Sequence, residues 1–238
     1  MKYKINQRVR YSEIDSDKKT DIAQIINYFQ DCSTFQSEDI GLGLDALSKK
    51  NRAWLLLSWQ IIVDRYPSFG EEITIGTWAY DWRSIYGYRN FDITDANGNR
   101  IAYANSIWVY TNTETLTPAK ADPEDIKAYG LEERIAMDYA PRKIRPPKEF
   151  VALEPFTIMK AHIDTNHHVN NAQYVALAEE YLPEGFVTKQ IRVEYKHSAV
   201  LADMIYPRVT ALEHGYVVQL CDAEGTPYSI IEFQEEAK

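Results

Sequence analysis

Asp95-Ala96-Asn97-Gly98 is followed by the run Ile101-Ala102-Tyr103-Ala104-Asn105-Ser106-Ile107-Trp108-Val109-Tyr110. The same arrangement returns late in the chain as Asp222-Ala223-Glu224-Gly225 followed by Tyr228-Ser229-Ile230-Ile231-Glu232-Phe233. An Asp-x-x-Gly tetrad between runs rich in β-branched and aromatic residues predicts a hairpin. Two hairpins of one kind point to a duplicated architecture. Upstream of the first, Ile61-Ile62-Val63-Asp64-Arg65-Tyr66 leads through Gly70-Glu71-Glu72 to the strand pattern Ile73–Trp78. Upstream of the second, Ile191-Arg192-Val193-Glu194-Tyr195-Lys196 leads through Ala202-Asp203 to Met204–Thr210.

Each half also carries one helix ahead of its strands. From Asp21 to about Ser37, Ile22, Ile25, Ile26 and Phe29 form a helical stripe with Thr20 or Asp21 as its cap. Its counterpart starts at Asn170-Asn171 and runs through Ala172–Glu180. The expected fold class is α+β, each half a long helix wrapped by a curled antiparallel sheet. The segment Tyr139–Lys148, rich in proline and basic residues, divides the chain. Residues 1–138 form the first half, 139–148 a basic linker and 149–238 the second half, with an acidic, helix-like stretch from Pro123 to Asp138 before the linker.

With 238 residues, 45% hydrophobic and 26% charged, the chain reads as globular. It has no apolar run near 18 residues and no apolar signal core at Met1–Gln7, so a cytoplasmic protein with no membrane partner is expected. A net charge of −9 argues against nucleic acid as a partner. Cys32 and Cys221 have no metal-ligand spacing and are expected as reduced thiols. No glycine-rich phosphate loop or zinc-type cluster appears, so neither a metal nor an organic cofactor is expected.

The densest chemistry lies in Asp164-Thr165-Asn166-His167-His168-Val169-Asn170-Asn171, followed by Tyr174. Asp164, Asn166 and His168 alternate, so in an extended segment their side chains would share one face. An acceptor carboxylate, an amide and an imidazole would then converge just before a helix start at Asn170 and Asn171, where backbone N–H groups can hold an oxyanion. His162 and His167 fall out of register and read as structural or surface residues. All five histidines lie in the second half, and all five tryptophans, Trp54, Trp59, Trp78, Trp82 and Trp108, in the first. That division suggests an apolar-substrate half and a chemical half, with Trp54, Trp59 and Trp78 as candidates to line or close the apolar site.

The Asp-x-Asn-x-His-Val-Asn-Asn motif, set in this tandem repeat, resembles the acyl-ACP thioesterases of plants and bacteria and their double hotdog fold. The resemblance extends to Trp54–Trp59, Val63–Pro67, Tyr88–Phe91 and Ser106–Trp108. The Val-Asn-Asn element alone is shared with single-hotdog acyl-CoA thioesterases. The resemblance implies hydrolysis of the thioester linking a fatty acyl chain to acyl carrier protein. It carries the catalytic positions onto Asp164, Asn166 and His168. A degenerate, histidine-free copy is expected at Arg10-Tyr11-Ser12-Glu13-Ile14-Asp15.

In one place the chain departs from that family. Where members carry an acidic residue, and plant members then a cysteine, this chain has Ser198-Ala199. No cysteine nucleophile is available there. The carboxylate role falls to Asp164, or to Glu194, which would share a face with Ser198 in an extended segment. His168 is expected to act as general base on water, histidine being the side chain that changes charge near neutral pH. Direct attack by Asp164 uses the same residues. Because carrier proteins are acidic like this chain, docking is expected on a local basic patch: Arg142, Lys143, Arg145 and Lys148 of the linker, or Lys49, Lys50 and Arg52. The alternatives are an acyl-CoA thioesterase or a non-catalytic acyl-binding protein, in either case a monomer or homodimer.

Overall fold

The computed structural model describes residues 2–236. The chain divides into two compact units, Met1–Leu57 with Val63–Tyr139, and Ser58–Ile62 with Ala140–Lys238.

In the first unit, β1 (Tyr3–Arg8) leads through a one-turn 3-10 helix at Tyr11–Glu13 to α1 (Ile22–Asp39) and α2 (Leu44–Lys49). Next come β2 (Arg52–Val63), β3 (Glu72–Arg83), β4 (Tyr86–Asp95), β5 (Arg100–Asn112), β6 (Thr117–Pro118) and α3 (Pro123–Tyr129). Strands β1, β3, β4 and β5 pair antiparallel in that order, and β6 adds to β5. The helix forms where the apolar stripe predicts it. Asp21 caps it, accepting the Gln24 N–H at 2.6 Å. It ends where Gly41 takes φ 76°, with Leu42 N–H returning to Ser37 O and Gly41 N–H to Glu38 O. Ile22, Ile25, Ile26 and Phe29 are fully buried, and α1 packs on β3 and β1. Phe29 meets Phe91 at 5.0 Å between ring centroids.

In the second unit, β7 (Val151–Ala152) and β8 (Phe156–Thr157) precede a one-turn 3-10 helix at Lys160–His162 and α4 (Asn171–Glu179). Then follow β9 (Gln190–Tyr195), β10 (Met204–Leu212), β11 (Gly215–Cys221) and β12 (Pro227–Gln234). Here β9, β12, β11, β10 and β7 pair antiparallel in order, and β8 pairs with β10. Residues Ser58–Ile62 of β2 pair with β9 and belong to this unit, so Trp59 lies with the second half. Helix α4 packs on β11 and β12. It is not the long helix expected: it has 9 residues against 18 in α1. Pro183 lacks an N–H and bars helical backbone at Leu182, so the chain turns away through Gly185 at φ 81°.

The repeat is visible bond for bond. Asp95 N–H bonds Asn99 O and Gly98 N–H bonds Asp95 O; Asp222 N–H bonds Thr226 O and Gly225 N–H bonds Asp222 O. Val9 N–H bonds Glu71 O at 2.9 Å and Gly70 N–H bonds Val9 O at 3.0 Å. Their copies are Ile158 N–H to Asp203 O at 2.9 Å and Ala202 N–H to Ile158 O at 3.0 Å. Asp64 N–H bonds Ile101 O, and its copy is Lys196 N–H to Tyr228 O. This corrects the strand register read from the sequence: Asp64 corresponds to Lys196, so Ile61 aligns with Val193 rather than Ile191. A two-residue slip keeps every side chain on its face, which is why apolar patterning alone does not reveal it.

The acidic stretch before the linker is helical only over α3. The linker itself is anchored to the second unit: Arg192 donates to Pro141 O at 2.7 Å, and Ile144 N–H donates to Glu194 Oε2 at 2.9 Å. Ile144 is buried against Val217 and Ile230.

Candidate active site

The Asp164–Asn171 segment is not extended. It is a tight turn that leads into α4. Asp164 N–H donates to His168 O at 2.8 Å and His167 N–H to Asp164 O at 3.1 Å. The Asp164 carboxylate accepts the Asn166 N–H at 2.8 Å and the His168 N–H at 3.5 Å. His167 takes φ 61°, the left-handed conformation that closes the turn. The shared-face reading of Asp164, Asn166 and His168 is thereby corrected. An aspartate can hydrogen-bond backbone amides two to four residues on, and that local bonding outcompetes a strand in a segment without ladder partners. The three residues lie on one turn, where the Asp164 carboxylate meets the backbone amides of the other two. Asp164 is half-buried, while Asn166 and His168 are exposed.

Neighbouring elements hold this turn. Ile163 and Val169 form an isolated bridge, and Val169 N–H donates to Ala199 O at 3.0 Å. Asn170 is the N-cap of α4; its side chain accepts the Ala172 N–H at 2.8 Å. Its own N–H is engaged with His162 O at 2.9 Å, so that amide is not free to receive an oxyanion as the sequence reading supposed. Asn171 O accepts the Tyr195 hydroxyl at 2.9 Å. His162 is buried, its Nδ1 accepting the Met159 N–H at 3.2 Å, which fits the structural role expected for it. His167 is exposed.

The degenerate copy lies further along the first unit than the sequence suggested. Arg10–Glu13 forms the 3-10 turn that matches Met159–His162, Glu13 standing where His162 stands. The counterpart of the motif itself is Asp15–Asp21. Asp15 N–H donates to Lys19 O at 2.8 Å, the Asp15 carboxylate accepts the Asp17 N–H at 2.8 Å, and Lys18 takes φ 61°. The backbone hydrogen bonds are the same and the side chains differ: Asp17 and Lys19 replace Asn166 and His168.

Glu194 does not share a face with Ser198. Strand β9 ends at Tyr195, and Ser198 lies exposed in the loop beyond it. Glu194 is buried, bonded to the Ile144 N–H and 3.6 Å from Lys196 Nζ. Those contacts give it a structural task in holding the linker. Ala199 is buried, its carbonyl on Val169 and its N–H on the Tyr174 hydroxyl at 2.7 Å. Burial pushes the Tyr174 hydroxyl up to about 12 and the Tyr195 hydroxyl well above the ordinary tyrosine value. Nothing in the motif itself assigns Tyr174 a role; its fourth position after Asn170, on the buried side of α4, is the signal the sequence offers.

Among the described residues, no group of three or more His, Cys, Asp or Glu side chains is arranged to hold a metal ion. Cys32 and Cys221 are unpaired and buried, and burial pushes the Cys32 thiol up to about 12. No helix among the described residues is long and apolar enough to cross a membrane. In the first unit, Trp78 is core, its Nε1 donating to Glu133 O at 2.8 Å. Trp54 is half-buried in an aromatic group, 4.8 Å from Trp82 and 4.7 Å from Tyr110 between ring centroids.

Known proteins give the same picture. The family description "acyl-ACP thioesterase N-terminal domain" matches residues 1–129, and that of the C-terminal domain matches residues 147–216. A palmitoyl-acyl carrier protein thioesterase of Arabidopsis thaliana is 26% identical over 201 residues, covering 79% of this chain and 49% of the relative. An oleoyl-acyl carrier protein thioesterase of the same plant is 25% identical over 228 residues, covering 85% of this chain and 61% of the relative. The chain thus spans about half the length of the first of these relatives. Among solved structures, an acyl-ACP thioesterase from Bacteroides thetaiotaomicron superposes with a TM-score of 0.88 at 20% identity, covering 98% of this chain and 97% of that one. The 12:0-ACP thioesterase of Umbellularia californica superposes with a TM-score of 0.86 at 20% identity, covering 100% and 98%. The fold is the tandem double hotdog, and the chain belongs to the acyl-ACP thioesterase family.

Proposed function

We propose that this protein hydrolyses the thioester between a fatty acyl chain and acyl carrier protein, releasing the free fatty acid and the holo-carrier. The observation that carries the reading is the Asp164–His168 turn, complete in the second unit and stripped of its amide and imidazole in the copy at Asp15–Lys19. His168, exposed beside Asp164, takes a proton from water as the water oxygen attacks the carbonyl carbon. The tetrahedral oxyanion collapses, the C–S bond breaks, and the imidazolium returns the proton to the leaving thiolate. The Asn166 side-chain amide supplies a hydrogen bond to the oxyanion. Asp164 orders the turn with one carboxylate oxygen and stabilises the imidazolium with its charge.

The first unit is proposed as the acyl-binding half, supported by its half-buried Trp54 and Trp82, with Trp54 packed on the buried Tyr110. The carrier protein is proposed to dock on Arg142, Lys143, Arg145 and Lys148. Lys143, Arg145 and Lys148 are exposed on a segment that Arg192 and Glu194 fix in place. No cofactor is required, the setting is cytoplasmic in keeping with two unpaired thiols, and the working form is a monomer or homodimer. A second reading, an acyl-binding protein without turnover, draws on Ser198 at the position where the family carries an acid. Thiol release from acyl-ACP separates the two.

A further inference from the structure

In both units the catalytic-type turn is tied to a following loop by one backbone hydrogen bond: Val169 N–H to Ala199 O at 3.0 Å, and Thr20 N–H to Pro67 O at 3.0 Å. The second unit adds another bond. The Ala199 N–H donates to the Tyr174 hydroxyl at 2.7 Å, closing the path Tyr174, Ala199, Val169 directly beside His168. In the first unit both partners are missing together. Ile25 stands at the helix position of Tyr174, and Pro67 stands at the position of Ala199 with no N–H to give. Yet the first turn keeps its geometry: Asp15 N–H to Lys19 O is 2.8 Å, and Asp164 N–H to His168 O is 2.8 Å. The tyrosine bond is therefore not needed to fold the turn, and it occurs only in the half that keeps the histidine.

We propose that Tyr174 is a positioning residue, whose hydroxyl holds Ala199 and through it Val169, so that His168 stays in register for proton transfer. The bond is buried: Tyr174 is 3% exposed and Ala199 0%. Burial keeps the hydroxyl protonated, so it accepts the amide proton as a neutral oxygen. Beside it, Tyr195 lies 5.9 Å away between ring centroids and ties its own hydroxyl to Asn171 O, fixing the helix start to the strand that feeds the loop. Ser198 immediately precedes the clamped residue.

This inference rests on the proposed thioesterase reading, and its test separates the two. Tyr174→Phe removes only the acceptor. Ala199→Pro removes the donor, as Pro67 does in the first unit, and also fixes φ at that position. Each single variant is expected to lower kcat by about tenfold to a hundredfold, the scale of a displaced catalytic group, with KM nearly unchanged. The double variant is expected to be no worse than either single one, because both delete the same bond. Amide hydrogen exchange gives a readout independent of turnover: at Val169 it accelerates in Tyr174→Phe, while at Thr20 it stays as in the native protein. Losses that multiply in the double variant, or an unchanged kcat in Tyr174→Phe, overturn the positioning role. Absence of turnover in the native protein overturns the thioesterase reading instead, and the exchange at Val169 then still decides whether the clamp exists.

Discussion

Asp15 and Asp164 make the same turn: each carboxylate accepts the amide two residues on at 2.8 Å, and each backbone N–H reaches the carbonyl four residues on at 2.8 Å. One turn carries Asn166 and His168, and the other carries Asp17 and Lys19. The duplication has kept the backbone scaffold twice and the amide and imidazole side chains once.

Changing only the charge of the two aspartates exploits this pairing. Asp164→Asn keeps an acceptor oxygen for the Asn166 and His168 amides but removes the negative charge beside the imidazole. The turn is expected to persist, and turnover to fall by about 10²-fold, the scale of a lost electrostatic partner. Asp15→Asn is expected to leave turnover as in the native protein. Steady-state kinetics with circular dichroism checks both, and equal losses in the two variants would mean that Asp164 serves only to shape its turn.

The buried carboxylate of Glu194 gives a second expectation. Glu194→Gln leaves the Ile144 N–H an acceptor but strips Lys196 of its partner, and Glu194→Ala removes both contacts. The alanine variant is expected to lose about 1–3 kcal/mol of stability through the orphaned Ile144 amide, while its folded fraction keeps its kcat. Urea denaturation and active-site-normalised rates read the two effects apart. A collapse of kcat at full stability would instead assign Glu194 the acidic role that Ser198 leaves open.

A pH-dependent stability is expected from Arg65 and Glu71 in the first unit. Arg65 grips both carboxylate oxygens, at 2.6 and 2.8 Å, and that bond, helped by the Ser68 N–H against the opposing effect of burial, holds the Glu71 carboxyl below the usual glutamate range. A depressed folded value means the contribution is present above the unfolded value of about 4.3 and is lost as pH falls through the lower folded value. Because the Arg65 side chain is 45% exposed, it amounts to less than about 1 kcal/mol. Thermal unfolding between neutral and acidic pH is expected to fall less steeply for Glu71→Gln than for the native protein. Parallel curves would show the pair to be energetically silent.

Carrier docking predicts a salt-dependent KM. Reversing the charges at Arg142, Lys143, Arg145 and Lys148 is expected to raise KM for acyl-ACP and to flatten its rise with ionic strength, with kcat preserved. An unchanged KM removes the linker from the docking surface.

The duplicated architecture was legible because apolar patterning and Asp-x-x-Gly turns are local signals. Asp95–Gly98 and Asp222–Gly225 form matching turns, and Asp21 and Asn170 cap helices where expected. Three features were not legible. The two-residue register shift between Ile61 and Ile191 preserves every face. The turn at Asp164 depends on a side chain capturing backbone amides, which strand periodicity does not anticipate. The Tyr174–Ala199 bond joins residues brought together by tertiary structure, and its meaning emerges only beside Ile25 and Pro67.

The most direct measurement is thiol release from medium- and long-chain acyl-ACP at neutral pH, comparing the native protein with His168→Ala. The account predicts turnover by the native protein and a loss of roughly 10²–10⁴-fold in the variant, the usual cost of removing a general base. Turnover that survives the substitution would place the chemistry elsewhere, and binding of acyl-ACP without turnover in either protein would make this an acyl-binding member of its family.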